Sequence, residues 1–585
     1  MGVSGLASEN FLHPLISERS IDESRPLKVI YIGAGVSGID AAIQFPKFVP
    51  QLDLVIYEKN ADVGGTWLEN RYPGCACDVP AHSYQLSFES STTWSHFYAG
   101  APEILKYWQR VAEKYEVKRF MRFGHKCIGA TWSEPACKWH VKIQRLHDGT
   151  VFEDTADVFM TGVGALNNWR WPDIKGLKNF QGKLMHSAEW DTDYNVKDKT
   201  VAVIGGGSSG IQIVPALQPT VRSMDHYVRG RTWIATTFGA NIVQQRNAGR
   251  DGNFSYSDEE KHEWNEDRES YVKYRKELEV EMQGTYAVTH YGSKEHEMAK
   301  AIFDQTMRER LQKRPEIMQH LVPDFPPLCK RLTPGPGYLE ALTADNVNVI
   351  PAKISHIDET GITTIDGKHR AVDVIVCATG FDVSFQGRFP IIGRNGVDLQ
   401  QRYRSRPESY LGLCVNNFPN FFQSLGPNSG LGNGNLLVVI EAIHLYVGQI
   451  LERLSAGHIR SLEPKQNEVR NFTEYCDAYF KRTVFSAECS SWYKSVPQGA
   501  NLENKGQARV TALWPGSSLH AIRALRKVRW EDFEVQYQDA NRFGWFGDGW
   551  TVAERSRDLE GLTWYLNNTK FLHESYEDTA KAYGI

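Results

Sequence analysis

Short, unbroken apolar runs alternate along this chain with stretches of helical periodicity, and the two clearest runs each lead into glycine. Residues 28–32 precede Gly33-Ala34-Gly35-Val36-Ser37-Gly38, and residues 201–204 precede Gly205-Gly206-Gly207-Ser208-Ser209-Gly210. A helical pattern follows each loop, so both read as a buried strand turning into a helix. Two more runs, Asp157-Val158-Phe159-Met160-Thr161-Gly162 and Asp373-Val374-Ile375-Val376-Cys377-Ala378-Thr379-Gly380, echo one another and end in Thr-Gly. They mark where the chain leaves the first unit and then the second. Between about 244 and 319 the pattern turns charged and helical, as in Asp258-Glu259-Glu260-Lys261-His262-Glu263, which predicts a helical excursion with pocket walls or a lid.

The expected fold class is therefore α/β, with two dinucleotide-binding, Rossmann-like domains and a helical insertion in the second. The expected organisation is an N-terminal arm over 1–25 and the first part of domain one over 26–165. Domain two covers 166–384, and the rest of domain one with C-terminal substrate and lid loops covers 385–585. The apolar stretch 436–451 is interrupted by Glu441 and His444 and is too short to span a bilayer, so it is expected to be a buried helix.

The glycines carry the first chemistry. Gly33, Gly35 and Gly38 in one loop, and Gly205, Gly207 and Gly210 in the other, allow a tight turn, close approach of a pyrophosphate and close packing of helix on strand. Ser208 and Ser209 open the second helix, where unpaired N–H groups would meet that pyrophosphate. The end of the next strand distinguishes the two loops. The run Leu54-Val55-Ile56-Tyr57 ends in Glu58, an acceptor for ribose hydroxyls, which points to FAD or NAD. His226-Tyr227-Val228 instead meets Arg229 and Arg231, with Thr232 beside them and no carboxylate, which suits the 2′-phosphate of NADP. The loop Gly426-Pro427-Asn428-Ser429-Gly430-Leu431-Gly432-Asn433-Gly434 enters the long apolar helix, and Asn428 is expected at the edge of a flavin.

Composition narrows the function classes. With 585 residues, 41% hydrophobic and 23% charged, the chain can bury two to four cores, and a net charge of −4 shows no bias toward nucleic acid or anionic membrane. Residues 1–25 lack a basic region followed by an apolar core, so no secretory signal is expected and a cytoplasmic location is. Nine cysteines without a CxxC pair make neither a disulfide framework nor a metal site. They are expected to act as small apolar residues, and Cys75 with Cys77 is poorly placed for the redox disulfide of a flavin disulfide reductase.

Three longer motifs resemble those of the Baeyer-Villiger monooxygenases, class B flavoproteins, over about residues 26–566. Phe180, Gly182, His186, Trp190 and Asp191 match that family's F-x-G-x-x-x-H-x-x-x-W-[PD] fingerprint. Gly64-Gly65-Thr66-Trp67, Tyr72-Pro73-Gly74 and Asp78 match a second motif, and Ala378-Thr379-Gly380-Phe381 a third. Trp94-Ser95, Ser491-Trp492-Tyr493 and Leu513-Trp514-Pro515-Gly516-Ser517-Ser518 resemble the fungal branch.

The resemblance implies FAD in the first domain, held with the help of Gly65, Thr66, Trp67 and Asp78, and NADPH in the second. It implies that Arg331 is the principal catalytic residue, stabilising an anionic flavin C4a-peroxide and then a tetrahedral alkoxide, with Asp78 holding its guanidinium. Lys330 would join Arg231 at the 2′-phosphate, His186 and Trp190 would position the domains, and Trp492 would sit on a mobile loop near the substrate. Asn433 departs from the family's usual histidine. The implied reaction inserts one oxygen atom of O2 beside a ketone carbonyl to give an ester or lactone, in a monomer or homodimer. The rivals are S- or N-oxygenation by the same cofactors and, further off, NADPH-dependent flavin reduction without oxygen insertion.

Overall fold

The first apolar run forms the strand Leu27–Ile32 at the centre of a five-stranded parallel sheet. The computed structural model describes residues 16–235, 239–247, 252–495, 508–539 and 541–567, so most of the expected N-terminal arm lies outside the described residues. The sheet runs Phe421–Gln423, Val158–Thr161, Leu27–Ile32, Leu52–Tyr57, Met121–Arg122. Its first strand comes from the C-terminal third of the chain and pairs with Val158–Thr161. The register sets Ile32 level with both Tyr57 and Thr161. Gly33, Glu58 and Gly162 therefore emerge side by side at the carboxyl edge, where open α/β sheets bind ligands.

A second five-stranded parallel sheet repeats the plan with the order Val347–Ile350, Ser223–Tyr227, Thr200–Ile204, Val374–Cys377, Lys183–His186. Ile204 stands level with Tyr227 and Cys377, and Cys377 with His186, so the fingerprint histidine ends an edge strand beside the second glycine loop. The same steric demand shapes both loops. A Cβ on Gly38 would lie 2.1 Å from the Gly33 carbonyl oxygen, and one on Gly210 would lie 2.0 Å from that of Gly205. Any larger residue would push the helix off its strand.

The helical excursion contains Ala240–Arg246, Asp258–Glu266, Arg268–Gly284, Lys294–Arg310 and Pro315–Leu321. It does more than decorate the second domain. Trp264, Tyr271, Tyr274 and Leu278 belong to the core of the first domain, whereas Phe303, Met307, Leu311 and Ile317 belong to that of the second. The His82 ring, from the first domain, lies 2.8 Å from the Tyr271 hydroxyl. The excursion thus clamps both domains.

The long apolar stretch is the helix Leu436–Ala456, and its two ionisable residues have specific partners. His444 Nδ1 donates to Asp40 Oδ2 at 2.7 Å, with both side chains wholly buried. His444 Nε2 lies 3.4 Å from both Tyr31 Oη and Ser37 Oγ, and Ser37 donates to Ser424. This network ties the first glycine-loop helix to the returning C-terminal chain. Glu441 accepts from the Ser87 N–H at 2.8 Å, and burial pushes its carboxyl up to about 7.

One expectation about cysteine is overturned. Cys329 and Cys489, 160 residues apart, form a disulfide, while seven other cysteines are free. Sequence spacing hides the pair because only tertiary folding brings the two loops together.

Removing one partner of a buried hydrogen-bonded pair strands the other. Asp40→Ala should therefore lower stability by about 3 kcal/mol, seen as an earlier denaturant midpoint and earlier flavin release on heating. An unchanged midpoint would show that the network does not join the two halves of the first domain.

Candidate functional site

The first glycine loop faces a second one. Gly65 has φ +50°, caps the short helix Thr66–Glu69, and would bring a Cβ within 2.9 Å of Gly35 Cα. Two backbones this close can clasp a pyrophosphate only if both lack side chains. Gly35 caps the helix Val36–Gln44 with no side-chain hydrogen bond, so that helix's first N–H groups are not satisfied by a cap. Glu58 is buried, and its two carboxylate oxygens accept the Ala34 N–H at 2.7 Å and the Asn60 N–H at 2.8 Å. Each oxygen keeps acceptor capacity for a ribose hydroxyl. Trp67 Nε1 donates to Tyr84 Oη at 3.1 Å, fixing the motif's indole. This donor set fits FAD.

The second loop borders a cavity of ≈ 1670 Å³ whose wall includes Gly205, Gly207, Arg229, Thr232 and Lys330. The helix Ser208–Leu217 begins there with Gly207 as an uncapped N-cap, and a Cβ on Gly207 would meet no atom within 4 Å. Ser208 Oγ lies 3.1 Å from Thr333 Oγ1, Ser209 follows in the same turn, and Thr232 Oγ1 donates to the Gly206 carbonyl at 3.3 Å. Lys330 Nζ donates to the Arg231 carbonyl at 2.8 Å, and burial pulls its pKa down. Arg231 itself turns to Asp324, 2.9 Å away, whereas Arg229 and Lys330 stand on the wall beside the glycine loop, with Arg170, Lys175, Lys353, Arg404, Arg406, Lys494 and Arg509 elsewhere around the cavity. An open helix terminus flanked by fixed cations fits NADP.

Arg331 and Asp78 join these two halves. Arg331 Nε and Nη2 donate to the two Asp78 carboxylate oxygens at 3.0 and 2.7 Å, a bidentate fork. The side chains are 32% and 22% exposed, so the pair is reachable from the site. Asp78 raises the Arg331 pKa above its ordinary value, which keeps the guanidinium charged at any working pH. Asp78 lies on a loop of the first domain pressed against the second. Tyr72 Oη donates to Gln212 Oε1 at 2.8 Å, Gln212 Nε2 donates to the Ala76 carbonyl at 2.9 Å, and a Cβ on Gly74 would lie 2.5 Å from the Gln212 carbonyl. Just before the Lys330-Arg331 pair, Leu328 adopts φ +67°, a costly conformation for leucine that the surrounding packing must hold.

The fingerprint residues lie along one side of the second domain. Phe180 packs in its small outer core, and a Cβ on Gly182 would strike the Asp373 carbonyl at 2.5 Å. Trp190 packs against the main core of that domain, and Asp191 pairs with Lys183. His186 stacks on Trp169 with ring centres 4.4 Å apart. Its Nδ1 accepts the Ala188 N–H at 3.2 Å, leaving Nε2 to donate toward Thr379 Oγ1 at 3.3 Å. Burial lowers its pKa to about 4, so it is neutral near pH 7 and holds Thr379 of the third motif rather than moving protons.

Two more expected residues have partners within the chain. Asn428 Nδ2 donates to the Val510 and Leu513 carbonyls at 3.0 and 2.9 Å, so both amide hydrogens hold the C-terminal segment. Trp492 packs against the core of the second domain beside Tyr493, with centroids 4.6 Å apart. Asn433, where the family's usual histidine is missing, donates to Thr285. Tyr493 carries no role in the sequence motifs, yet it is buried beside Arg331. Burial pushes its phenol up to about 12 against the opposing pull of that charge. Gln212, Trp169 and Lys494 likewise escape sequence reasoning, because no motif spacing marks a residue that acts through tertiary contact.

Comparison with known proteins agrees with this geometry. Residues 26–241 match the family model for flavin-binding monooxygenase-like proteins. The chain is 39% identical to the FAD-binding monooxygenase tazF of Aspergillus terreus, over 91% of this chain and 93% of that protein. It is 34% identical to a Baeyer-Villiger monooxygenase of Pseudomonas aeruginosa, over 86% of this chain and 90% of that one. Among solved structures, OTEMO in complex with FAD and NADP superposes with a TM-score of 0.74 at 26% identity, covering 88% of this chain and 100% of that one. Cyclohexanone monooxygenase from Rhodococcus sp. Phi1 bound to NADP+ gives 0.72 at 26% identity with the same coverage.

The stacked histidine has a signature in pH. Its folded pKa of about 4 lies below the ordinary 6.5, so between those values the unfolded chain takes up a proton that the folded protein refuses. Stability contributed in this way is complete above pH 6.5 and falls as the pH drops toward 4. His186→Gln should therefore lose about 2 kcal/mol less than the parent between pH 7 and pH 5, measured by denaturant midpoints. Equal losses would place the histidine in a solvated setting.

Proposed function

We infer the reaction from the premise that this chain belongs to the Baeyer-Villiger type of flavin-binding monooxygenases. It is an FAD- and NADPH-dependent monooxygenase that inserts one oxygen atom of O2 next to a ketone carbonyl and yields an ester or lactone. The single observation that carries the ketone reading is the bidentate Arg331–Asp78 pair at the junction of the two nucleotide sites.

When bound, the two cofactors supply the electrons that activate O2. The residues supply placement and charge. Gly33, Gly35, Gly38, Glu58, Gly65, Thr66 and Trp67 would hold FAD, and Gly205, Gly207, Ser208, Ser209, Gly210, Thr232, Arg229 and Lys330 would hold NADPH. Oxygen insertion beside a carbonyl develops negative charge on oxygen at the reacting centre, and a guanidinium that cannot lose its proton stabilises that charge without donating a proton outright. Asp78 fixes the plane of the guanidinium, so its remaining in-plane N–H donors have a set direction toward the reacting oxygen. His186, neutral and stacked, keeps the Thr379 loop against the second glycine loop.

Among the described residues no helix is long and apolar enough to cross a membrane, and no group of three metal-ligating side chains occurs. The proposed working state is a cytoplasmic monomer or homodimer.

Arg331→Ala should leave FAD bound and reducible by NADPH while ester formation falls about 10²–10³-fold. Stopped-flow reduction and product mass over cyclic, polycyclic and linear ketones plus one sulfide, with labelled oxygen, check this. Undiminished ester yield sinks the role of Arg331, and a labelled sulfoxide with no ester sinks the ketone reading. Replacing Arg229 and Lys330 together with methionine should reduce the preference for NADPH over NADH at least about tenfold, since each charged contact to phosphate contributes roughly 1.5–3 kcal/mol. An unmoved ratio of catalytic efficiencies would remove the 2′-phosphate from this wall.

A further inference from the structure

We propose that Cys329 and Cys489 are a reversible, peroxide-responsive dithiol whose closure pins the segment 487–494 over the segment bearing Lys330 and Arg331. The proposal goes beyond the oxygenase reading and needs only the chain's own sulfurs and an oxidant of the peroxide class.

Cys329 immediately precedes the Lys330-Arg331 pair, and Cys489 lies three residues before Trp492 and four before Tyr493. The two Cα atoms are 6.3 Å apart, inside the range that a disulfide needs without backbone movement. Closing the bond joins the catalytic loop of the second domain to the aromatic segment that packs on it. On its far side that segment is tied by the short pairing of Lys494 and Ser495 with Arg509 and Val510, by the Thr511 and Ala512 N–H groups on the Tyr493 carbonyl, by Ser495 Oγ on Thr511 Oγ1 at 2.6 Å and by the buried Tyr493 ring. Opening the bond therefore leaves 487–491 without a covalent hold on Arg331's loop.

Lys494 Nζ lies 3.7 Å from Cys329 Sγ and 3.8 Å from Cys489 Sγ, and it also donates to the Ala487 carbonyl, which anchors it between the sulfurs. A nearby ammonium stabilises a thiolate, and the thiolate is the form that reacts with peroxides and disulfides. Burial raises the thiols of all seven free cysteines, which disfavours their reactive thiolate form. Access differs as well. Cys329 is fully buried, while Cys489 is half-buried and precedes Ser490, which lines the large cavity together with Lys494. Small oxidants and thiols can thus reach Cys489 first.

The step balances. The Cys489 thiolate attacks one oxygen of hydrogen peroxide, the O–O bond breaks, and the departing hydroxide takes a proton to leave as water. The resulting sulfenic acid is attacked at sulfur by the Cys329 thiolate, the S–O bond breaks, and the second oxygen leaves as water with the two remaining protons. Two thiols lose two electrons in total, and one peroxide becomes two waters. A small dithiol reverses the change by exchange at the half-buried sulfur.

The test uses the FAD-loaded protein, treated with dithiothreitol and then with hydrogen peroxide, and reads thiols by alkylation and peptide mapping, which does not depend on any substrate. Reduction should open two thiols, at Cys329 and Cys489, to rapid labelling. Peroxide should close both, and Lys494→Met should slow closure about tenfold at neutral pH. Limited proteolysis after Lys494 should be several-fold faster in the reduced form, with Cys489→Ser matching the reduced form under both conditions. A bond that dithiothreitol cannot open in the folded protein, or thiols that label equally before and after peroxide, would overturn the proposal. Proteolysis unchanged by redox state would overturn the pinning. An absence of ketone oxidation in both redox forms, with the thiol chemistry intact, would count against the oxygenase reading instead.

Discussion

The bidentate contact between Arg331 and Asp78 is the constraint on which the rest of the structure turns. Its two partners come from different domains, so the fork closes only when both Rossmann units take one relative orientation. As an energy it is modest, because both side chains are partly exposed and water screens the attraction. Its value lies in direction: a planar guanidinium held at two points presents its remaining in-plane N–H donors and one charge to whatever lies between the nucleotide sites. Everything near it serves to hold that alignment. The Tyr72–Gln212–Ala76 contacts press the aspartate loop onto the second domain, and the helical excursion buries one half of its apolar surface in each core.

The electrostatics of the two nucleotide sites arise from the same plan. Both use uncapped helix starts behind tight glycine turns, so both attract phosphate. They differ at the carboxyl end of the second strand in each sheet. Glu58 is held by two backbone N–H groups, so it stays in place as an acceptor without needing a cation that would cancel it. On the other side Arg229 and Lys330 line an open wall, while Arg231 is drawn off by Asp324. Burial keeps His186 neutral, as it does His226 in the same sheet, so neither histidine adds a charge beside the second site near neutrality.

Much of this was legible in the sequence where backbone geometry dictates residue type. Gly38 and Gly210 can be read because any Cβ would strike the carbonyl of the loop's first glycine, and Gly182 because a strand-edge carbonyl sits in the way. The alternation of buried runs with helices foretells the two parallel sheets, and the isolated strand Phe421–Gln423 explains why the Thr-Gly echo marks an exit and not an end. Arg331 and Asp78 were legible only through family resemblance, since 253 residues separate them and neither has a spacing of its own. The contacts of Asn428 could not be read from its glycine-rich helix entry, because its amide hydrogens go to Val510 and Leu513, which are distant in sequence. The pairing of Cys329 with Cys489, the place of Tyr493 beside Arg331 and the stacking of Trp169 on His186 could not be read from sequence spacing, because each is a tertiary contact between distant segments.

The C-terminal members of that group share a physical feature. Tyr493, Trp492 and Cys489 lie on a segment with little secondary structure of its own, yet Tyr493 and Cys489 meet the loop that carries the catalytic pair. A segment held by few backbone hydrogen bonds has low local stability, and its docking can be altered by a single covalent bond without disturbing the cores beneath. The domain framework, by contrast, is fixed by parallel sheets, by the buried His444–Asp40 network and by an excursion rooted on both sides. Rigidity and adjustability are thus divided between separate parts of the chain: the framework sets where Arg331 points, and the C-terminal segment sets how closed the space around it is.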